Sequence, residues 1–369
     1  MNSGNILIPT PIPMSFLALG YQRGGIYEGP GSRGISHLME HLVCKTFDPH
    51  QTRLRSLGVN YNAYTSDNRV VFWWEGLSEC VEQIAQNVVD CVCLKHNLWS
   101  SAAFEAEKKV VLEEYGDCFN SQEEGVGLNA GRRYYNYFDP IGLREDIEAF
   151  TYEDSLRESE FYDRPDLLLQ VGLSGVELPY GLRPQEEISN RLHFEDRGDY
   201  LQEDFPRGDK SIVGLLSSKP IAEPIYSRLS LGMKCLNGGL ESPFYTEIRE
   251  KRGLSYYSRG GFSILGTEIL SSFYACTSEA RTQELQEVYQ DLLSKRFEDL
   301  VTEERFSACL DGTKISRRKG QILPHVGVQA TILAEQDPFE DLDSFTFEEI
   351  ASIANSHIMG IDRYVPLFG

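Results

Sequence analysis

The sequence predicts an α+β protein of two domains, each a mixed sheet with helices packed against it. Three observations carry this reading. At 369 residues the chain exceeds an ordinary single domain, and 41% hydrophobic residues suffice for two cores. Proline, glycine and charged residues gather between Pro179 and Gly208: Pro179-Tyr180-Gly181, Arg183-Pro184, and Glu203-Asp204-Phe205-Pro206-Arg207-Gly208. Such a composition marks a domain boundary. Strand-like and helix-like segments alternate irregularly on both sides of it, as in mixed sheets with covering helices. The domains are accordingly residues 1–180 and 209–369, with a linker over 181–208.

The elements follow in chain order. After a proline-rich start, Ser15 to Tyr21 reads as a strand. Ile35, Leu38, Met39, Leu42 and Val43 repeat as i, i+3, i+4, i+7, i+8, the buried stripe of a helix. Ser101 to Cys118 forms another helix, since Ser100 or Ser101 can cap its start and its interior is rich in Ala, Glu, Lys, Leu and Val. Its apolar stripe is expected to run through Ala103, Phe104, Val110 and Val111. In the second half Ser211 to Leu216 opens a strand, and Pro224–Leu236, Leu285–Phe297 and Phe347–Ile358 read as helices.

The chemistry concentrates in His37-Leu38-Met39-Glu40-His41. Residues four apart lie one above the other on a helix, so both imidazoles can reach one metal ion. Glu40 flanks the same face and can take a proton from a water activated by that metal. This is the inverted arrangement of the metalloprotease zinc helix. A solvated face that happens to carry two histidines is the plainer explanation. Two histidines need a third protein ligand, which leaves one position open for water. On the Ser101–Cys118 helix, Glu107 and Glu114 fall on the apolar stripe two turns apart, whereas Glu105, Lys108, Lys109 and Glu113 point elsewhere. A carboxylate on a buried stripe is costly unless it is paired or binds a metal. Glu107 and Glu114 are therefore better candidates than their neighbours.

Here the chain resembles the pitrilysin/insulysin-type inverzincin metallopeptidases, and within them the short two-domain bacterial branch related to mitochondrial processing peptidase. The resemblance rests on the inverted motif and on Glu107-Lys108-Lys109-Val110-Val111-Leu112-Glu113-Glu114. It implies zinc as cofactor, Glu114 as third ligand and Glu107 as a supporting catalytic glutamate. Asn62-Ala63-Tyr64-Thr65-Ser66-Asp67 is similar to the family's Asn-Ala-x-Thr strand, which implies that Asn62, Ala63 and Tyr64 bind substrate along an exposed sheet edge. Gly142 to Leu156 matches the stretch after the zinc helices and contains a Thr-x-Glu-Asp helix start. Gly238 to Phe244, leading into Ile248 to Tyr256, resembles the segment whose Arg and Tyr, here Arg249 and Tyr256, hold substrate over the zinc. Asn62 in a turn, Arg249 neutralising Glu247 or Glu250, and Tyr256 as a half-buried strand aromatic are the ordinary structural alternatives.

The resemblance further implies that the two domains share one mostly antiparallel fold, although no strong internal repeat is visible. The family's opening hairpin has only Ser15–Tyr21 to supply it here, and its other strand is either lost or replaced by Asn5 to Pro9. Four-domain members take zinc from the first domain and the Arg/Tyr pair from the fourth. A two-domain chain is therefore expected to pair as a homodimer, or as a heterodimer with a related subunit.

A formal charge of −21 disfavours nucleic acid, whose binding depends on phosphate neutralisation by Lys and Arg. It serves solubility, and would favour basic peptides if it lined a cavity. No run approaches the length of a membrane helix, and Met1 to Pro13 lacks a charged start and an apolar core, so no membrane and a cytoplasmic location are expected. The eight cysteines show no zinc-ribbon spacing, and most are expected to be buried thiols in a reducing compartment. Cys44 lies one turn beyond His41, but the ligand set is complete without it. The reading is a zinc endopeptidase acting on short or unfolded peptides, with leader or targeting peptides among the candidates. The alternatives are a non-catalytic scaffold or partner subunit of a heterodimeric peptidase, and a metal-binding peptide carrier.

Overall fold

The computed structural model describes residues 4–46, 51–93, 99–120, 139–173, 176–178, 180–184, 210–221, 225–265, 268–322, 341–360 and 365–368. Pro224 and linker residues 185–208 lie outside them. The chain divides into two units: Met1–Asp117 with Phe138–Asn190 and Arg318–Leu333, and Cys118–Tyr137 with Arg191–Arg317 and Ala334–Gly369.

The first unit contains β1 (Asn5–Ile8), β2 (Met14–Tyr21), α1 (Ile35–Lys45), α2 (Gln51–Ser56), β3 (Asn60–Thr65), β4 (Val70–Leu77), α3 (Ser78–Cys93), α4 (Ser101–Asn120) as far as Asp117, α5 (Arg144–Ala149), α6 (Tyr152–Ser159) and β5 (Leu167–Val171). Its sheet has the order β1-β5-β2-β4-β3. β1 runs parallel to β5 and every other pair is antiparallel. Asn5–Ile8 is thus a strand, but it joins β5 rather than forming a hairpin with β2. β2 is buried along almost its whole length, the pattern of a strand covered on both faces. Phe16, Ala18, Val71, Trp73, Leu167, Leu169 and Val171 form a core on one face, where Phe16 stacks on Trp73. By the two-residue period, Leu17, Leu19, Val70 and Phe72 occupy the other face, and α1 and α3 pack against this sheet.

The second unit contains β6 (Lys210–Pro220), α7 (Tyr226–Asn237), β7 (Arg259–Leu265), β8 (Glu268–Ser278), α8 (Thr282–Ser294), α9 (Glu303–Ile322) as far as Arg317, α10 (Phe347–His357) and β9 (Val365–Phe368). Its sheet is fully antiparallel, in the order β7-β8-β6-β9. Placed beside β3-β4-β2-β5 of the first unit, it has the same strand order and the same pairing. The two halves therefore share a topology that their side chains do not spell out. The helix expected over Leu285–Phe297 starts and ends earlier, at Thr282 and Ser294, and a short turn over Phe297–Leu300 follows it.

On α4 the buried residues are Phe104, Glu107, Val111 and Tyr115. Val110 is exposed, contrary to expectation: it lies about 100° around the helix from Val111, outside the arc that the other four define. Of the seven cysteines whose side chains are described, Cys93, Cys235 and Cys309 are buried and the other four half-buried, so burial is less general than the flanking residues implied. Among the described residues no helix is long and apolar enough to cross a membrane.

Candidate metal centre

α1 begins without a side-chain cap of its own. Its N-cap, Gly34, has φ 94°, a left-handed conformation that favours glycine. The orphan amides of the first turn are met from upstream instead: Glu28 accepts from Gly34 N–H at 2.6 Å and from Ser36 N–H at 2.8 Å. Ser36 Oγ in turn accepts from Gly24 N–H. Glu28 is buried, and burial pushes its carboxyl up to about 7 although those hydrogen bonds favour the ionised form. Asp146 of α5 accepts from Gly31 and Arg33 N–H, which holds the lead-in loop. Gly142 lies so close that a Cβ there would meet Gly34 Cα at 2.4 Å. The Gly142–Leu156 stretch therefore buttresses the start of α1, and Thr151 with Asp154 makes a capping box for α6.

α1 buries Ile35, Leu38, Met39, Leu42 and Val43, as the stripe predicted, and turns His37 and His41 towards α4. The partners pair in opposite directions along the two helices. His37 Nε2 lies 3.3 Å and His41 Nε2 3.5 Å from the same Glu114 oxygen, Oε2. One turn on, His41 Nδ1 lies 3.2 Å from Glu107 Oε2, and Lys45 Nζ lies 3.1 Å from Glu107 Oε1. The side chain of Glu107 is 10% exposed and that of Glu114 45% exposed, so the pairing carboxylate is enclosed while the other opens to solvent.

The charges reinforce one another. Burial pulls the His37 imidazole down, but the Glu114 hydrogen bond and the fields of Glu40, Glu114 and Glu28 outweigh it and raise its pKa. The His37 hydrogen bond, with help from His41, lowers that of Glu114 against the opposing effect of burial.

The donor set fits a tetrahedral divalent metal. The ligand atoms of His37, His41 and Glu114 all lie within 4.8 Å of one another. A tetrahedral zinc shell with metal–ligand bonds of about 2.0–2.2 Å has edges of about 3.3–3.6 Å, the range of the two His–Glu114 separations. Glu107 on Nδ1 of His41 would leave Nε2 to face a metal, as in a carboxylate–histidine–metal arrangement. Glu40 stands beside the set with Oε2 accepting from Thr65 Oγ1 at 2.6 Å.

β3 carries the Asn-Ala-x-Thr segment and is an edge strand, paired to β4 alone among the described strands. Asn62 is exposed, and its Oδ1 accepts from Ala63 N–H. Tyr64 does not present its side chain at this edge. Its ring packs on the core of the opposite face, and burial raises its phenol. The Asn-Ala-x-Thr signal marks a strand, and the two-residue period then turns Tyr64 inward.

In the second unit Arg249 and Tyr256 come together. The Arg249 guanidinium lies 4.2 Å from the Tyr256 ring centre and 5.0 Å from that of Tyr245, and it donates to Tyr256 O at 3.3 Å. Arg249 sits on a π-helical turn over Thr246–Lys251, a local irregularity common at functional sites. Glu247 is engaged by Lys251 and Arg252, while Glu250 lies 3.6 Å from Arg249. The Tyr256 side chain projects outward, and the residue is 76% exposed rather than a half-buried strand aromatic.

Glu28, Lys45 and the hydroxyl of Thr65 are contacts that sequence reasoning missed. Lys45 could have been found, since it continues the i, i+4 series from His37 and His41. Glu28 leaves no such trace.

Comparison with known proteins agrees with this geometry. Residues 7–133 match the model described as insulinase, peptidase family M16, and residues 202–312 match the M16 inactive domain. An uncharacterized zinc protease of Rickettsia bellii is 20% identical over 366 residues, covering 90% of this chain and 87% of its own. The β subunit of the mitochondrial-processing peptidase of Neurospora crassa is 26% identical over 163 residues, 42% of this chain and 34% of that one. The crystal structure of a protease from Helicobacter pylori superposes with a TM-score of 0.80 at 16% identity, over 100% of this chain and 97% of that one. Two M16 domains in tandem, each on its own sheet, place this chain in the insulinase family of peptidases, M16.

Proposed function

We propose that the protein is a zinc-dependent endopeptidase that hydrolyses short or unfolded peptides. The observation that carries this reading is the convergence of His37, His41 and Glu114 from two helices, with Glu40 alongside. His37, His41 and Glu114 would hold the zinc. When bound, zinc polarises the scissile carbonyl and makes a water acidic near neutral pH. Glu40 would take a proton from the attacking water as a new C–O bond forms at the carbonyl carbon, and would pass it to the leaving amine as the C–N bond breaks. Glu107 holds His41 in the tautomer that leaves Nε2 available, and Lys45 balances the charge of Glu107.

Substrate adds to the edge of β3 as a further strand, reading the backbone of Asn62, Ala63 and Tyr64 more than the peptide's sequence. Arg249 and Tyr256 anchor it in a site completed by a second copy or a related subunit. Similarity to a mitochondrial-processing peptidase β subunit supports the pairing and admits leader or targeting peptides as substrates. We place this activity in the cytoplasm. Residues 1–180 form the zinc-binding catalytic domain, and residues 209–369, after a linker, the domain that anchors substrate.

The test is cleavage of a diverse unstructured peptide library by the zinc-loaded protein, with Glu40→Gln alongside and products read by mass spectrometry. Cleavage by wild type and none by the zinc-bound variant is the expected result. Undiminished turnover by Glu40→Gln sinks the mechanism. Stoichiometric zinc with no cleavage by either protein favours a non-catalytic partner subunit.

A further inference from the structure

Glu40 is held from the strand edge rather than from its own helix. Thr65, the last residue of β3, donates from Oγ1 to Glu40 Oε2 at 2.6 Å, a short bond of the charge-assisted kind. Thr65 lies on the opposite face of the strand from Tyr64, the face towards which α1 packs. Its own position is fixed from several sides. Thr65 pairs with Val70 across β4, and the turn between them closes through Ser66 N–H to Arg69 O at 2.7 Å and Arg69 N–H to Ser66 Oγ at 3.1 Å. Arg69 is buried against Asp166, which also accepts from Gln22 N–H. Asp67 O accepts from Ile26 N–H, so the same turn grips the loop leading to α1.

We propose that Thr65 is the positioning residue for the base, and that it ties Glu40 to the strand on which the peptide is laid. The inference rests on the reading of Glu40 as the proton acceptor. A glutamate on a helix surface has three side-chain torsions and samples several rotamers. A hydroxyl held by the sheet restricts Glu40 to one of them and occupies Oε2, so that Oε1 is the oxygen left to receive the proton. Because Thr65 and the docking edge are parts of one strand, a peptide paired with β3 and the carboxylate that serves it share one frame. The Thr65 hydroxyl meets Glu40 and is not among the candidate metal ligands, so its part in the reaction is through Glu40.

The experiment compares wild type, Thr65→Val, Thr65→Ser and Glu40→Gln in two ways. The first is kcat and KM of the zinc-loaded proteins on a peptide taken from the library screen, with zinc content measured for each. Removing a hydrogen bond to a charged group predicts a kcat lower by about 10- to 100-fold in Thr65→Val, with KM within about twofold and zinc content unchanged. Thr65→Ser, which keeps the hydroxyl, recovers most of that loss. The second uses the metal-free proteins labelled at the glutamate side-chain carboxyl carbon with 13C. The resonance absent from Glu40→Gln identifies Glu40, and it moves in Thr65→Val and stays in Thr65→Ser.

An unmoved Glu40 resonance in Thr65→Val overturns the proposal, as does a wild-type kcat, a loss confined to KM, or a serine variant as impaired as the valine one. Should valine disturb folding, Thr65→Ala replaces it in both measurements. Full activity in Glu40→Gln is a different failure: the base is then misassigned, whatever the Thr65 variants do.

Discussion

Replacing Glu28 by glutamine should make the first unit's stability less sensitive to pH, in a direction that its burial fixes. The Glu28 carboxyl, ordinarily at 4.5, is raised to about 7 in the fold, chiefly by loss of water around it. Between those values the folded chain keeps a proton that the unfolded chain has released. Unfolding then liberates a proton, and stability falls as pH rises through this window. At about 1.4 kcal/mol per pH unit, the whole rise is worth about 3 kcal/mol, present at pH 4.5 and lost above pH 7. Glutamine keeps one acceptor oxygen for the start of α1 and cannot ionise, so it lacks this dependence. The assay is urea unfolding of the metal-free proteins at pH 5, 6, 7 and 8. Fluorescence can follow it, because all three tryptophans, Trp73, Trp74 and Trp99, lie in the same unit as Glu28. The stability of Glu28→Gln relative to wild type should rise by up to about 3 kcal/mol across the series. A difference that stays flat, or that runs the other way, refutes the argument that a buried, ionising Glu28 supports α1.

Two further outcomes follow from the site. Glu107→Ala removes the carboxylate that orients His41, and should weaken zinc binding by about 10- to 100-fold in competition with a chromogenic chelator; unchanged affinity would remove Glu107 from that role. If a second chain completes the site, mixing Glu40→Gln with Arg249→Ala, each inactive alone, should restore up to about a quarter of wild-type turnover through mixed dimers. No recovery after verified subunit exchange would count against a shared site.

The candidate metal centre is legible in the sequence because each half of it is local. His37 and His41 are spaced by one helical turn, and Glu107 is a buried acidic interruption of a stripe that otherwise wants apolar residues. Glu114, two turns on, is half exposed and is placed there by the resemblance more than by burial. Glu28 is not legible, because its partners are backbone amides of Gly34 and Ser36, and a backbone donor has no letter in the sequence. Tyr64 shows a different limit: a motif can identify a strand without saying which face each residue takes. Val110 shows how a four-residue stripe tolerates a wrong member when Val110 and Val111 are adjacent and alike. α3 and α9 had readable signals, Val81, Ile84, Ala85 and Val89 in one, and Thr302 before Glu303 and Glu304 in the other. The common topology of the two sheets emerges only in strand pairing, since buried positions accept many apolar side chains.

The three candidate metal donors are split between α1 and α4, about 70 residues apart along the chain, and bringing such distant segments together carries a loop-closure cost. That cost is met by the first unit's own sheet and by the ladder in which His37, His41 and Lys45 face Glu114 and Glu107. The candidate ligands are thus brought together by the packing of the first unit and not by either helix alone, so a change that loosens the contact of α1 with α4 would disturb the site without altering any donor.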